Sequence, residues 1–517
     1  MNASGRLVAV TMLVGAVLLA PVGNLCQAQD GPWQGASDLG GGWHWLDWFG
    51  SFWASDTHDW VYHNELGWMY TFGSTTSDLV FWQLLMGDLW WTSDSAYPFA
   101  YRFSDAAWLW YVRDSASPCW FYNLTAGTWE SHPASGPADR LEPSNFTYQG
   151  AFALPSDFDW GARGACYYGA GNSGAGSLLI TGPESRPAEF AEVAIPTPVT
   201  AATWEELPVA SQLTAMVSFD GNLIESQLDS TTTFGSGIEV VPMRGSQTGD
   251  KLYGAADQWY EVSGDTFPTI WFSEMDGSNP RGLFHVGPEA EPYHGNKSGC
   301  FLFSVPQSYA DAYLGGRTLV TGKSRGAFNG SMGPALIAFR PWDNEAPSGD
   351  LDAVPMAWYR IIYPDCAGPN VGDPVNCDYP DFTMCDEWVG GGFVEAGQRQ
   401  AVILLGTKGL GTNGYGPGGA GDCNPYQGYH CDPFERQVVF FDVNELADVA
   451  SGTRDAWTVV PYTIWRPAEF FLGDAQGQTC GLTGGIAVDT AGNRVFMIEK
   501  GLGGDNAAAV HVWTVAE

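Results

Sequence analysis

Positive charge is scarce in this chain. Lysine and arginine total 22 against 58 Asp and Glu, the formal net charge is −36, and the lysines are Lys251, Lys297, Lys323, Lys408 and Lys500 alone. That balance excludes nucleic acid and anionic membrane surfaces as partners, because both need basic patches. Eight histidines occur, and no C-x2-C pair exists among the ten cysteines, so zinc-ribbon and zinc-finger spacings are excluded. HExxH, G-x-S-x-G and P-loop patterns are absent too, which removes the common metalloprotease, serine-hydrolase and nucleotide-binding signatures. The glycine-rich run 409–423 lacks the strand-to-helix context of a phosphate cradle and reads as a long loop. Beyond the first residues no apolar run is long enough to span a bilayer, and no amphipathic helical period is sustained.

What is present begins with a leader. Arg6, the apolar run LVAVTMLVGAVLLA and the small-residue stretch CQA form the pattern of a cleaved secretory signal over residues 1–28. Export is therefore expected, with a secreted or cell-surface location. Cys26 follows Leu25, a poor context for lipid attachment. Six of the remaining cysteines, Cys366, Cys377, Cys385, Cys423, Cys431 and Cys480, lie in the last third, where disulfides would staple long loops. The loop 409–423 is expected to be pinned by Cys423 and Cys431. An odd count leaves one thiol over, with Cys119 the candidate.

Residues 29–131 are saturated with tryptophan: 14 of the chain's 24 lie between Trp33 and Trp129. Tyr62, Trp82, Tyr101 and Tyr122 stand five positions before Gly67, Gly87, Ala106 and Gly127, a unit of about twenty residues. Each unit reads as an aromatic strand, a turn and a second strand, and a single hairpin cannot bury its faces, so the hairpins must associate. The units resemble the GW-type aromatic repeats of bacterial surface and cell-wall-binding modules, which implies glycan binding on aromatic platforms. A role for the same rings as plain core is the competing expectation, and exposed tryptophan would favour binding. Residues 132–144, rich in Pro, Ala and Ser, read as a linker.

Residues 145–517 are expected to be all-β, a five-to-seven-bladed β-propeller. Glycine-bearing first strands recur in GACYYG, GIEVV, GCFLFSV, WVGGGFVEA and GGIAVD, each followed by second and third strands. Five blades are clear, and residues 200–229 could hold another. The turn EMDGSNPRGLF resembles those of lipoprotein-receptor-type and periplasmic propellers, and DTAGNRVFMI those of other propeller families. NFTYQGAFALP and EVAIPTP resemble secreted marine-bacterial propeller proteins, a likeness that implies fold and export only.

In such a wheel, Lys323, Lys408 and Lys500 end second strands and Lys297 precedes a first strand, so they should share one rim with Arg163 and Arg325. A ring of cations on a negative body would attract an anionic extracellular polysaccharide or cell-envelope glycan. Alternatively each cation pairs with a carboxylate such as Glu499, Asp386 or Glu387. His294 with Tyr293, and His430 with Tyr429, fall in predicted rim loops and are the candidate base and acid of a β-eliminating lyase, the cations neutralising the uronate carboxylate. A glycosidase would instead need two carboxyls about 5–9 Å apart; Asp386 and Glu387, adjacent on a strand, point to opposite faces and cannot both serve, so one of them would need Glu184 or Asp505 from another blade. Rim carboxylates could also hold calcium. A noncatalytic surface-attached binding or adhesion propeller is the alternative to an enzyme.

Overall fold

The computed structural model describes residues 33–517 except 34, 41–42, 55–59, 64–65, 73–74, 76, 84–87, 114–118, 133–139, 187, 229–232, 259–265, 289–292, 327–330, 342–349, 361–377, 380–381, 412–413, 420–422, 424–427, 476–479 and 504–505. The leader, Asp505, Cys366 and Cys377 lie outside the described residues, as do most of the linker and the side chain of Cys119. Two compact units divide the chain, residues 1–139 and 140–517. No helix among the described residues is long and apolar enough to cross a membrane.

The first unit is a single antiparallel meander of eleven strands, from Ser37–Gly40 to Thr128–His132, each paired with the next in sequence. Strict alternation along the strands separates two faces. In Ala107–Tyr111 the residues Ala107, Leu109 and Tyr111 are buried while Trp108 and Trp110 are exposed. Phe52, Met69, Leu79, Phe81, Trp90, Leu109 and Phe121 form the core on the inner face. The turn residues Gly67, Ala106 and Gly127 all have positive φ (74°, 55° and 71°), so in these three hairpins the recurring small residue marks the left-handed turn, Gly87 lying outside the described residues.

The second unit is a five-bladed propeller with four strands per blade. Its inner strands, Ala165–Tyr168, Thr233–Val241, Leu302–Ser304, Glu387–Ala396 and Thr483–Asp489, coincide with the five first strands expected from sequence. The segment 200–229 is not a further blade. It wraps the first, supplying the outermost strand Val217–Ser218. Phe146–Ala153 pairs with Ala507–Val515 as the outer strand of the fifth blade, so the start of this unit closes the ring onto its end.

Glycine in the inner strands has a steric cause. A Cβ at Gly237 would sit 2.7 Å from Leu302, and one at Gly484 would sit 2.2 Å from the carbonyl oxygen of Ala162, because neighbouring blades crowd together at the axis. Disulfides Cys385–Cys431 and Cys423–Cys480 staple the long insertion between the second and third strands of blade 4. Both anchors, Cys385 and Cys480, lie just before inner strands, at Glu387 and Thr483.

Candidate functional site

Antiparallel alternation puts two kinds of chain segment at one end of the wheel: those leading into inner strands and those leaving second strands. At this rim all five blades contribute a charged or nucleophilic side chain. Arg163 precedes the first inner strand, Asp257 closes the second strand of blade 2, and Cys300, Lys323, Ser324 and Arg325 belong to blade 3. Glu387 opens the inner strand of blade 4, and Lys500 lies on the second strand of blade 5.

Arg163 is the hub. Its guanidinium lies 2.9 Å from Asp257, 3.1 Å from Glu387 and 3.5 Å from Glu184. Arg325 reaches the other oxygen of Glu387 at 3.1 Å, and Lys500 donates to Glu184 at 3.0 Å. Burial by itself would raise the Glu387 carboxyl, but Arg325 and Arg163 outweigh it and hold it down to about 2. Glu184 is likewise lowered against its burial, by Lys500 and Arg163.

Deeper in the cluster, the Cys300 thiol donates to Asp257 at 3.2 Å, and burial followed by the Asp257 charge pushes the thiol well up. Ser324 donates to the second Asp257 oxygen at 3.4 Å. Lys323 is fully buried, and its Nζ has no hydrogen-bond partner among the described residues. Burial lowers its ammonium to about 7, with nearby Cys300 opposing and Lys297 adding to the shift.

The structure thus brings Arg163, Arg325 and Lys500 onto shared carboxylates, with Lys323 and Lys297 alongside. Lys408 donates to Asp386 at 2.9 Å, and Asp386 also accepts from Gly409 N–H at 3.0 Å and from Thr383, which makes it a knot for the loop. Glu499 serves a different cluster: it accepts from His511 (2.8 Å) and from the N–H groups of Leu472 and Gly473, with Arg436 at 3.1 Å. Lys251 pairs with Glu274 at 2.8 Å, at the far end of its strand from Asp257.

The remaining candidates are the two tyrosine–histidine pairs. Tyr293 is 5% exposed within the core, and burial pushes its hydroxyl up to about 12, with Arg317 and Asp352 as the charges that bear on it. The Nδ1 of His294 accepts from Asn296 N–H at 3.1 Å. His430 and Tyr429 lie on the strand Gly428–His430 of the stapled insertion. His430 Nε2 is 2.9 Å from the Gly416 carbonyl oxygen, and the Tyr429 ring stands 4.9 Å from Tyr415.

Among the rim residues that sequence reasoning missed, together with its partners Cys300 and Ser324, is Asp257. It closes the second strand of its blade as Lys323 closes that of blade 3, so a search for charge of either sign at second-strand ends would have found it. No group of three or more His, Cys, Asp or Glu side chains suited to a metal ion occurs among the described residues.

A second candidate surface is the open face of the aromatic sheet. Phe99 is directly opposite Trp110, Trp110 opposite Tyr122, and Tyr122 opposite Trp129. Tyr101 faces Trp91 on one side and Trp108 on the other, and Tyr70 faces Trp82. The Tyr122 and Trp129 rings are 5.1 Å apart, those of Tyr101 and Trp108 5.6 Å. Trp129 is 57% exposed and Trp120 42%. No family model and no curated protein matches the chain.

Proposed function

We propose that this is an extracellular glycan-binding protein that engages polysaccharide through the open face of its aromatic sheet. The observation that carries the reading is the ladder of directly opposed rings, Phe99, Trp110, Tyr122 and Trp129, of which Tyr122 is half-buried and the other three are exposed. Opposite residues in an antiparallel sheet hold their Cβ atoms about 4.5–5.5 Å apart, so the rings form a continuous strip. Pyranose rings present apolar C–H faces that stack on such a strip, and exposed aromatic patches of this extent mark interaction sites. Stacking needs no positive charge, which suits a chain of net charge −36.

The rim supports binding less than it supports the wheel itself. Arg163, Arg325, Lys408 and Lys500 each lie against a carboxylate, so they supply little surplus charge for an anionic chain. An uncharged polysaccharide is therefore the favoured ligand. Hydrolysis needs one carboxyl held protonated beside a second; Glu387 and Glu184 are both lowered, and Asp386, raised by burial, has its oxygens taken by Lys408, Thr383 and the Gly409 N–H. β-Elimination needs an acid, a base and a cation together, and Tyr293 is enclosed in the core with its hydroxyl pushed up to about 12.

The test is co-sedimentation of the chain lacking residues 1–28 with insoluble cellulose, chitin, agarose and calcium alginate, followed by assays for unsaturated products and new reducing ends. Retention on an uncharged polysaccharide without products is expected. Retention on none of them would end the proposal. Unsaturated products that vanish in His294→Ala or His430→Ala would replace it with a lyase.

A further inference from the structure

At the end of the propeller opposite the rim, the inner strands line a partly open cavity of about 280 Å³. Every blade lines it, with Tyr167 from the first, Glu239 from the second, Phe303 and Ser304 from the third, Phe393 and Glu395 from the fourth, and Ile486 and Val488 from the fifth. Two carboxyl groups therefore stand among aromatic and aliphatic walls. Among the described residues no Lys, Arg or His side chain lines the cavity; Arg494, 5.8 Å from the Tyr167 ring centre, is paired with Asp489.

We propose that this axial cavity binds a small organic ammonium ion, held by Glu239 and Glu395 and covered by the aromatic rings of Tyr167, Phe303 and Phe393. The argument is one of unmatched chemistry. A carboxylate partly withdrawn from water among apolar walls, as Glu239 and Glu395 are, is ordinarily paired with a cation or well supplied with hydrogen bonds. Glu239 has the Ser304 hydroxyl as its hydrogen-bonding neighbour, and burial pushes its carboxyl up to about 8 despite that bond. Glu395 accepts from Gln400 at 3.3 Å, which leaves further lone-pair capacity.

Size and wall chemistry choose among cations. Water occupies about 30 Å³ in the liquid, so the space is several times what a bare metal ion fills. Calcium takes about 6–8 oxygen ligands. Here two carboxylates and the hydroxyls of Ser304 and Thr490 are set among apolar side chains. Aromatic faces beside carboxylates are instead what an alkylammonium group needs: charge for its nitrogen and ring electrons for its methyl or methylene groups.

Binding should also move a proton. With its carboxyl pushed up to about 8 by burial, Glu239 is mostly protonated at pH 7. An ammonium ion favours the carboxylate, so one proton leaves as the ligand enters, and affinity rises with pH up to about 8. The Ser304 hydroxyl bonds that carboxyl and the buried Cys166 thiol feels its charge, while Glu395 and Thr490 line the same cavity.

The experiment is calorimetric titration of the chain lacking residues 1–28 with choline chloride, with calcium chloride and sodium chloride as parallel arms. Runs at pH 7 use two buffers of different ionisation enthalpy. One choline site per chain is expected, with a buffer-dependent heat that reports proton release. Glu239→Gln should weaken choline at least tenfold and abolish the buffer dependence, and Glu395→Gln should weaken it while keeping that dependence. Both are near-isosteric, and unchanged circular dichroism confirms that they fold. No choline binding at millimolar concentration, binding unaffected by either variant, or saturable calcium binding without choline binding would each overturn the assignment.

Discussion

Arg163 and Glu387, 224 residues apart in the chain, meet at 3.1 Å near the propeller axis, and the same nitrogen of Arg163 lies 2.9 Å from Asp257. One guanidinium therefore ties blades 1, 2 and 4, and Arg325 ties blade 3 to the same carboxylate. With Asp257 only 2% exposed, removing the cation would strand a buried charge. Arg163→Met should cost about 3–5 kcal/mol in urea unfolding at pH 7. A loss below 1 kcal/mol would show that the hub is dispensable.

Acid should act on the same cluster. The Glu387 carboxyl titrates at about 2 in the folded chain against 4.5 unfolded, so its contribution is fully present above pH 4.5 and is lost as pH falls toward 2. Glu184, also lowered, acts in the same direction. Urea midpoints measured from pH 6 to pH 3 should fall less steeply in Glu387→Gln than in the parent. Equal slopes would contradict this.

Lys323 should be a stability cost. Its amine titrates at about 7 when folded against 10.5 when unfolded, so the unfolded chain binds more protons between those values. The penalty is full below pH 7 and fades as pH rises toward 10.5. Lys323→Met, which keeps length and removes the charge, is expected to raise stability at pH 6 by about 1–4 kcal/mol, with a smaller gain at pH 10. A destabilised variant at pH 6 would show that the ammonium has a function in the folded protein.

The two faces of the aromatic sheet should respond differently. Trp110→Ala and Trp129→Ala are expected to lower retention on polysaccharide at least tenfold with the melting temperature nearly unchanged, since both rings are open to solvent. Phe121→Ala, at 1% exposure on the inner face, should instead cost about 3–5 kcal/mol. Loss of binding only through unfolding would make the outer rings structural.

Reducing the disulfides should loosen the stapled insertion more than the wheel. Cys385–Cys431 spans 46 residues and Cys423–Cys480 spans 57, and each joins the insertion to a segment leading into an inner strand. Faster hydrogen exchange is expected around Tyr415 and Tyr429, with the strand Gln437–Phe441 still protected. Exchange that rose equally in both would mean the staples hold the whole blade.

The wheel was legible because its grammar is local. Glycine at 237, 390–392 and 484–485 marks backbone crowded at the axis, and the strand runs that follow each are short and regular. Residues 200–229 were harder, because an outer strand of two residues leaves almost no pattern, and the closing role of Phe146–Ala153 depends on a partner more than 350 residues away. Asp257 escaped notice because attention to scarce lysines passes over an abundant carboxylate at the equivalent place. The open aromatic face was half legible: alternation places Trp108 and Trp110 on one side, but not which side is covered.

By itself, the amino-acid order determined what depends on neighbours along the chain. It set the hairpins through their left-handed turns, the alternation that segregates Leu109 from Trp110, and the repetition of five glycine-bearing strands. Only tertiary structure decided which charges cancel, which carboxyl lacks a cation and which aromatic face stays open. Those outcomes depend on distances across a closed ring and on what is buried, and a side-chain period of two carries no information about either.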